Sequence, residues 1–274
     1  MKSSALILAA LGALAASPAP AGETACWFEG GVVIVPAEVM GVAGDYVLDT
    51  ASPHTQLAET QAQGAGYADT ALSGAVRLAG LTLRGQPVAV AAIDLRTGVL
   101  PTPVAGVIGA DVLNGYVLDV RFAPCRIGLY RAGHAPPFRS GAALPLRWVA
   151  GRPVVTATVS DGVVTRSGGF SPGVGVDRAV RISDAMAQVP GAAKAIELYP
   201  YGILQPRLAR LDFAGAAFMD LPSGLVLAED PALAGLIGAP LLSRWRLRFD
   251  FPKGRLLLAP ASPPRGARRE TEGF

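Results

Sequence analysis

Histidine, cysteine and charge are all scarce in this chain, and each scarcity closes off a class of chemistry. The 274 residues include two histidines, His54 and His134, and two cysteines, Cys26 and Cys125. Once the cysteines pair, that set cannot supply an ordinary zinc site, so neither metal nor metal catalysis is expected. A Ser/His/Asp hydrolase needs an oriented histidine and a nucleophile elbow, and neither is visible around Ser52 and His54. Charged residues make up 16% of the chain and the formal net charge is +3. Arg244, Arg246, Arg248, Lys253 and Arg255 cluster late, and Arg265, Arg268 and Arg269 follow in the tail. Without aromatic interleaving or a nucleic-acid motif they read as solvated faces, and no nucleic-acid partner is expected. Gly173-Val174-Gly175-Val176 lacks the third glycine and the helix of a phosphate loop and reads as a turn, so no cofactor is expected.

No segment approaches the ~18 uninterrupted apolar residues of a membrane helix. What the N-terminus does have is Lys2, an apolar run from Ala5 to Ala16, and Ala19-Pro20-Ala21, which together read as a signal peptide over 1–21. The expectation is an exported, soluble protein, periplasmic or secreted, without membrane attachment after cleavage and monomeric. In that compartment Cys26 and Cys125 are expected to pair, fastening the first strand of one unit to its last.

The 33 glycines and 23 prolines favour short strands and turns over long helices, so the fold is read as all-β. Its plan is stated twice. Ala105-Gly106-Val107-Ile108-Gly109-Ala110, with Leu113 and then Leu118-Asp119-Val120-Arg121-Phe122, is matched by Ala234-Gly235-Leu236-Ile237-Gly238-Ala239, with Leu242 and then Leu247-Arg248-Phe249-Asp250-Phe251. An internal duplication accounts for this. The predicted lobes run over 22–132 and 143–261, joined by a Pro/Gly-rich linker over 133–142 and followed by a tail without fixed structure over 262–274. Single helical turns are expected at Val112-Leu113 and Leu241-Leu242, with further helices at Ser183–Gln188 and Ala192–Glu197.

Upstream, Val39–Ala43 and Tyr46–Leu48 read as strands around Gly44-Asp45, leading into Asp49-Thr50-Ala51-Ser52. In the second half, Val154–Val159 and Val163–Arg166 flank the hairpin signal Asp161-Gly162 and lead into Ser167-Gly168-Gly169-Phe170-Ser171-Pro172. Aligned on the hairpins, Asp49 faces Ser167; aligned on the Ser-Pro pairs, it faces Gly168.

Asp49-Thr50-Ala51-Ser52, the later Val107-Ile108-Gly109-Ala110-Asp111-Val112-Leu113 and the repeat of this plan resemble the retropepsin-like and pepsin-like aspartic proteases. That resemblance implies two similar β-barrel lobes, each offering one Asp-Thr/Ser-Gly loop to a central cleft that takes a peptide or protein. It implies that Asp49 is the catalytic carboxylate, that Thr50 hydrogen-bonds across the lobe interface and that Ser52 orients Asp49. Gly109 would let the following turn pass close behind the loop, and the hairpin from Ala79-Gly80 to Gly85 would occupy the place of the substrate-covering flap. Two departures stand out: Ala51 replaces the family's glycine, and neither Ser167 nor Gly168 supplies the second carboxylate, with Asp177 the remaining candidate. Peptide hydrolysis by a pair of carboxylates sharing a proton is one expectation. A pseudoprotease that binds extended peptides or scaffolds a partner in the cleft is the other.

Overall fold

The computed structural model describes residues 22–93, 100–184, 197–198, 203–204, 207–227 and 230–261. The expected signal peptide, the tail and most of the two helices expected after Ser183 lie outside these residues; Ser183 itself ends a strand.

The first half forms strands β1 (Glu23–Ala25), β2 (Trp27–Glu29), β3 (Val32–Val39), β4 (Val42–Leu48), β5 (Gln56–Ala58), β6 (Ala71–Leu78), β7 (Leu81–Ala91), β8 (Gly106–Ile108), β9 (Tyr116–Phe122) and β10 (Cys125–Arg131). The second forms β11 (Ala142–Pro145), β12 (Arg147–Val149), β13 (Arg152–Ser160), β14 (Thr165–Gly173), β15 (Val180–Ser183), β16 (Glu197–Leu198), β17 (Ile203–Leu204), β18 (Arg207–Phe213), β19 (Ala216–Val226), β20 (Leu233–Gly238), β21 (Trp245–Asp250) and β22 (Arg255–Pro260). Short α-helices form at α1 (Glu59–Gly64), α2 (Ala110–Leu113) and α3 (Ala239–Leu242), beside a 3-10 turn at Phe251–Lys253. The first of these was not anticipated; the other two fall on the expected single turns.

Two sheets repeat one strand order. The first reads β2-β3-β4-β8-β5-β7-β6 and the second β12-β13-β14-β20-β15-β19-β18. In each, the ends meet, because β3 also pairs with β6 and β13 with β18, so six strands close into a barrel with β2 or β12 at its flank. Closure satisfies the edge groups that an open sheet would leave exposed. A third sheet, β1-β10-β9-β21-β22-β11, takes strands from both halves and joins them at β9–β21. Along that seam Asp119 registers with Arg248, which is its own counterpart in the repeat. Two identical halves would place like charges opposite each other here; divergence has instead produced a two-pronged ion pair, 2.5 and 2.7 Å, with Arg248 also donating to the Pro136 carbonyl.

Local sequence explains most of these boundaries. Asp161 accepts the Val163 and Val164 amides and turns β13 into β14, as its Asp-Gly pair suggested. The β3–β4 turn falls elsewhere than expected. It lies at Met40-Gly41, both at positive φ (54° and 82°), whereas Gly44-Asp45 is inside β4. A disulfide joins Cys26 to Cys125, 99 positions apart. The core runs through both barrels and the joining sheet, with Tyr46, Leu48, Ile108, Phe170, Ile237 and Phe249 all fully buried.

Candidate functional site

A cleft of about 820 Å³ separates the barrels, and Asp49, Ala51, Ser52, Arg152, Gly175 and Asp177 are among its lining. Its floor is made of two facing loops, and strand register identifies which residues correspond. In β4 and β8, Tyr46, Val47 and Leu48 pair with Gly106, Val107 and Ile108. In β14 and β20, Phe170, Ser171 and Pro172 pair with Gly235, Leu236 and Ile237. Gly173 is therefore the counterpart of Asp49, and Val174, Gly175 and Val176 are those of Thr50, Ala51 and Ser52. Hydrogen bonding repeats the match: the Ser52 amide donates to the Asp49 carbonyl and the Val176 amide to that of Gly173. Ala110 and Ala239 then donate to the Ser52 and Val176 carbonyls.

Ser167 and Gly168 are not at this site. Both sit early in β14, opposite Thr158 and Ala157, and the Ser167 hydroxyl bonds the Thr158 hydroxyl at 2.7 Å. The glycine-rich run Ser167–Gly169 continues the strand rather than ending it, so the counterpart of Asp49 is Gly173, farther along the chain than either Ser167 or Gly168. The segment Gly173–Val176, read from sequence as a plain turn, is the second loop of the site. An aromatic three positions ahead could have located it, since Tyr46 precedes Asp49 as Phe170 precedes Gly173.

The two loops interlock side chain against glycine. A Cβ added to Gly175 would lie 2.5 Å from Asp49 Cβ, and one added to Gly173 would lie 2.7 Å from Ala51 Cβ and 3.1 Å from Asp49 Oδ1. Asp49 thus packs over Gly175 and Ala51 over Gly173. The space where a second-lobe side chain would start is occupied by the Ala51 methyl and by Val176. Contacts below about 3 Å between carbons cannot be relieved in a dense interior without backbone movement.

Asp49 is 2% exposed, and its Oδ1 accepts the Ala51 amide at 3.0 Å. Thr50 reaches across the interface: its hydroxyl donates to the Pro172 carbonyl at 2.6 Å and accepts the Val174 amide at 3.2 Å. No reciprocal bond forms from Val174, which carries no hydroxyl. The Val33 amide donates to the Val174 carbonyl at 2.9 Å, yet its counterpart Pro153 has no N–H to return the contact. Ser52 directs its hydroxyl to the His54 carbonyl at 2.9 Å.

Behind the first loop, Gly109 passes so close to His54 and Thr55 that an added Cβ would lie 2.5 Å from the His54 carbonyl. Thr55 and Asp111 lock this crossing, and sequence reasoning had missed both. Asp111 accepts the Thr55 amide and hydroxyl at 2.9 and 2.7 Å, and Thr55 Oγ1 accepts the Gly109 amide. In the second lobe Pro240 stands at the Asp111 position, and the Gly238 amide donates to the Ala179 carbonyl. Asp177 lines the cleft with its carboxylate bonded to Arg181 at 2.6 Å. The hairpin turn at Ala79-Gly80 does not cover the cleft. Ala79 is buried and its carbonyl accepts the Gly22 amide, and none of the lining comes from β6 or β7. His54 and His134 are both exposed, and His54 borders the cleft.

No protein-family model matches the sequence, and no curated protein is detectably similar to it. Among solved structures, an aspartic proteinase from Irpex lacteus superposes with a TM-score of 0.55 at 16% identity, covering 88% of this chain and 97% of that one. At that identity the likeness concerns architecture: this chain has the duplicated two-barrel fold of a pepsin-like aspartic proteinase.

Proposed function

We propose that this is an exported pseudoprotease, periplasmic or secreted, which holds an extended polypeptide in its interlobe cleft without cutting it. The observation that carries the reading is Gly173. Hydrolysis of a peptide by this fold's chemistry needs one carboxylate to activate water and a second to protonate the substrate carbonyl. The position facing Asp49 in the second loop is a glycine, and its lost side-chain volume is filled by Ala51 and Val176. The cleft itself is intact, buried at its floor and walled by Val32, Val47, Val226 and Leu236. Such a groove suits a strand-like peptide, whose backbone bonds the walls and whose alternate side chains enter them. The disulfide fits an oxidising compartment.

A second reading, an endopeptidase using Asp49 and Asp177, is favoured by their shared place in the cleft lining and opposed by the Arg181 bond to Asp177. One experiment tests the binding on which the first reading depends. Fluorescence anisotropy with labelled unstructured peptides should show saturable binding to the intact protein, weakened about tenfold by Val226→Trp or Leu100→Trp, which narrow the cleft from opposite sides. Binding unaffected by both substitutions, or absent for every peptide, would overturn the proposal.

A further inference from the structure

The sheet that joins the lobes, β1-β10-β9-β21-β22-β11, turns one face into the core and the other outward. On β9 the inward residues are Leu118, Val120 and Phe122, and Asp119 and Arg121 alternate with them on the outer face. Arg121 is registered against Arg126 of β10, and Arg246 of β21 falls opposite it one step beyond the registered pair Leu247–Val120. Alanines close the row, Ala25 beside Arg126 and Ala259 beside Arg246. Three arginines thus stand in line on neighbouring strands, which are spaced about 5 Å apart.

The duplicated hairpin shows what this row lacks. In the second half the same cross-strand pair is Asp250–Arg255, an ion pair at 3.2 Å; in the first half it is Arg121–Arg126. Opposite charges at facing positions of antiparallel strands stabilise the pair, and like charges destabilise it. An acid at position 121 would remove the repulsion, as the copy does, so folding gives no reason for arginine there. Among the described residues none of the three arginines forms an ion pair. The two acids nearest them on this face, two residues along the strands, are engaged elsewhere. Asp119 takes both prongs of Arg248, and Glu23 accepts the Tyr130 hydroxyl at 2.7 Å.

The row also has a cavity of about 200 Å³. Arg121, Arg126 and Arg246 all line it, and Pro136, Pro137 and Phe138 of the segment between the lobes wall it. The Arg246 Cζ lies 5.2 Å from the centre of the Phe138 ring, a contact that orders the guanidinium without neutralising it. Among the described residues none lines both this cavity and the cleft.

We propose that this cavity is a binding site for a phosphate group, held by Arg121, Arg126 and Arg246 on the outer face of the joining sheet. A dianion set between the facing arginines supplies the negative charge that Asp250 supplies in the copy. Each planar guanidinium presents parallel N–H donors that match phosphate oxygens. Two negative charges answer three cations better than the single charge of a carboxylate does. Free phosphate and the phosphomonoester headgroup of a lipid share this chemistry. The site is independent of peptide binding in the cleft.

The test titrates the intact protein with inorganic phosphate and with acetate at constant ionic strength, by calorimetry and by thermal unfolding. Phosphate should bind about tenfold tighter than acetate or better, and at about ten times its dissociation constant should raise Tm by about 2–4 °C. Arg121→Asp copies the second hairpin onto the first. In acetate it should melt above its parent, and its response to phosphate should be lost. Arg246→Gln should weaken phosphate about tenfold, and it carries the same reading if Arg121→Asp does not fold. Vesicles of phosphatidylcholine with and without phosphatidic acid form the second arm. Arg121-dependent binding to phosphatidic acid without a response to free phosphate assigns the site to a lipid headgroup. Equal binding of phosphate and acetate with no preference between the vesicles overturns the inference. So does a phosphate response that survives both substitutions, or an Arg121→Asp protein that folds but is no more stable than its parent in acetate.

Discussion

The loops Asp49–Ser52 and Gly173–Val176 occupy equivalent places at the ends of equivalent strands, yet one carries nearly all the polar chemistry of the interface. Thr50 spans the gap with two hydrogen bonds, where Val174 makes none with its side chain. Thr55 and Asp111 brace the first loop, where Pro240 replaces the acid in the second. Asp49 and Ala51 each rest on a glycine of the opposite loop. Duplication lets two copies diverge in complementary directions, so that what one loop loses the other fills. The same lesson appears at Asp119 and Arg248, where a position meeting its own copy has become an ion pair.

The largest way to break this comparison is to make the loops alike. Gly173→Asp forces a side chain against Ala51 and places a second acid beside the buried Asp49 carboxylate, and should cost about 3 kcal/mol or more in urea unfolding. Ala51→Gly in the same chain should recover part of that loss, and a strictly additive result would show that the two sites are not coupled. Thr50→Val copies the second loop onto the first. It leaves the Pro172 carbonyl and Val174 amide without the Thr50 hydroxyl, for an expected loss of about 2–3 kcal/mol by the same measurement.

The smallest effect concerns Tyr46, whose counterpart is Phe170. Burial pushes the Tyr46 phenol up to about 12, and its hydroxyl donates to the Val42 carbonyl at 2.7 Å. A phenol that resists ionisation only when folded contributes stability that is fully present below its unfolded value near 10 and is lost as pH rises to about 12. Tyr46→Phe should therefore cost about 1 kcal/mol at neutral pH. It should also flatten the fall in stability between about pH 10 and about pH 12, a fall on the order of 2–3 kcal/mol in the parent protein. An unchanged alkaline slope would remove Tyr46 as its cause.

How much of this was legible depended on whether local and long-range signals agreed. The Ala-Gly-apolar-apolar-Gly repeats showed the duplication because glycine is demanded at both ends. Gly106 and Gly235 lie under the rings of Tyr46 and Phe170, while Gly109 and Gly238 pass against loop backbone. The Asp161-Gly162 turn and the Cys26–Cys125 bond were legible from local turn chemistry and from the count of cysteines. The second loop was not, because Gly168, Gly169 and Pro172 look like breakers. Their environment overrides that: β14 runs between β13 and β20, and Pro172 sits one residue before its end, where its carbonyl, rather than an amide, is used by Thr50. The Met40-Gly41 turn was hidden because a methionine at positive φ has no sequence signature. Thr55 and Asp111 pair across 56 positions, a separation that no local pattern reveals.

Intact-mass analysis of a cleft-bound peptide, held with the protein across about pH 3 to about pH 7, addresses the central claim most directly. The account predicts that the peptide is recovered whole from the wild-type protein and from Asp49→Asn alike. A pair of fragments summing to the peptide plus one water, formed by the wild type and absent with Asp49→Asn, would contradict it.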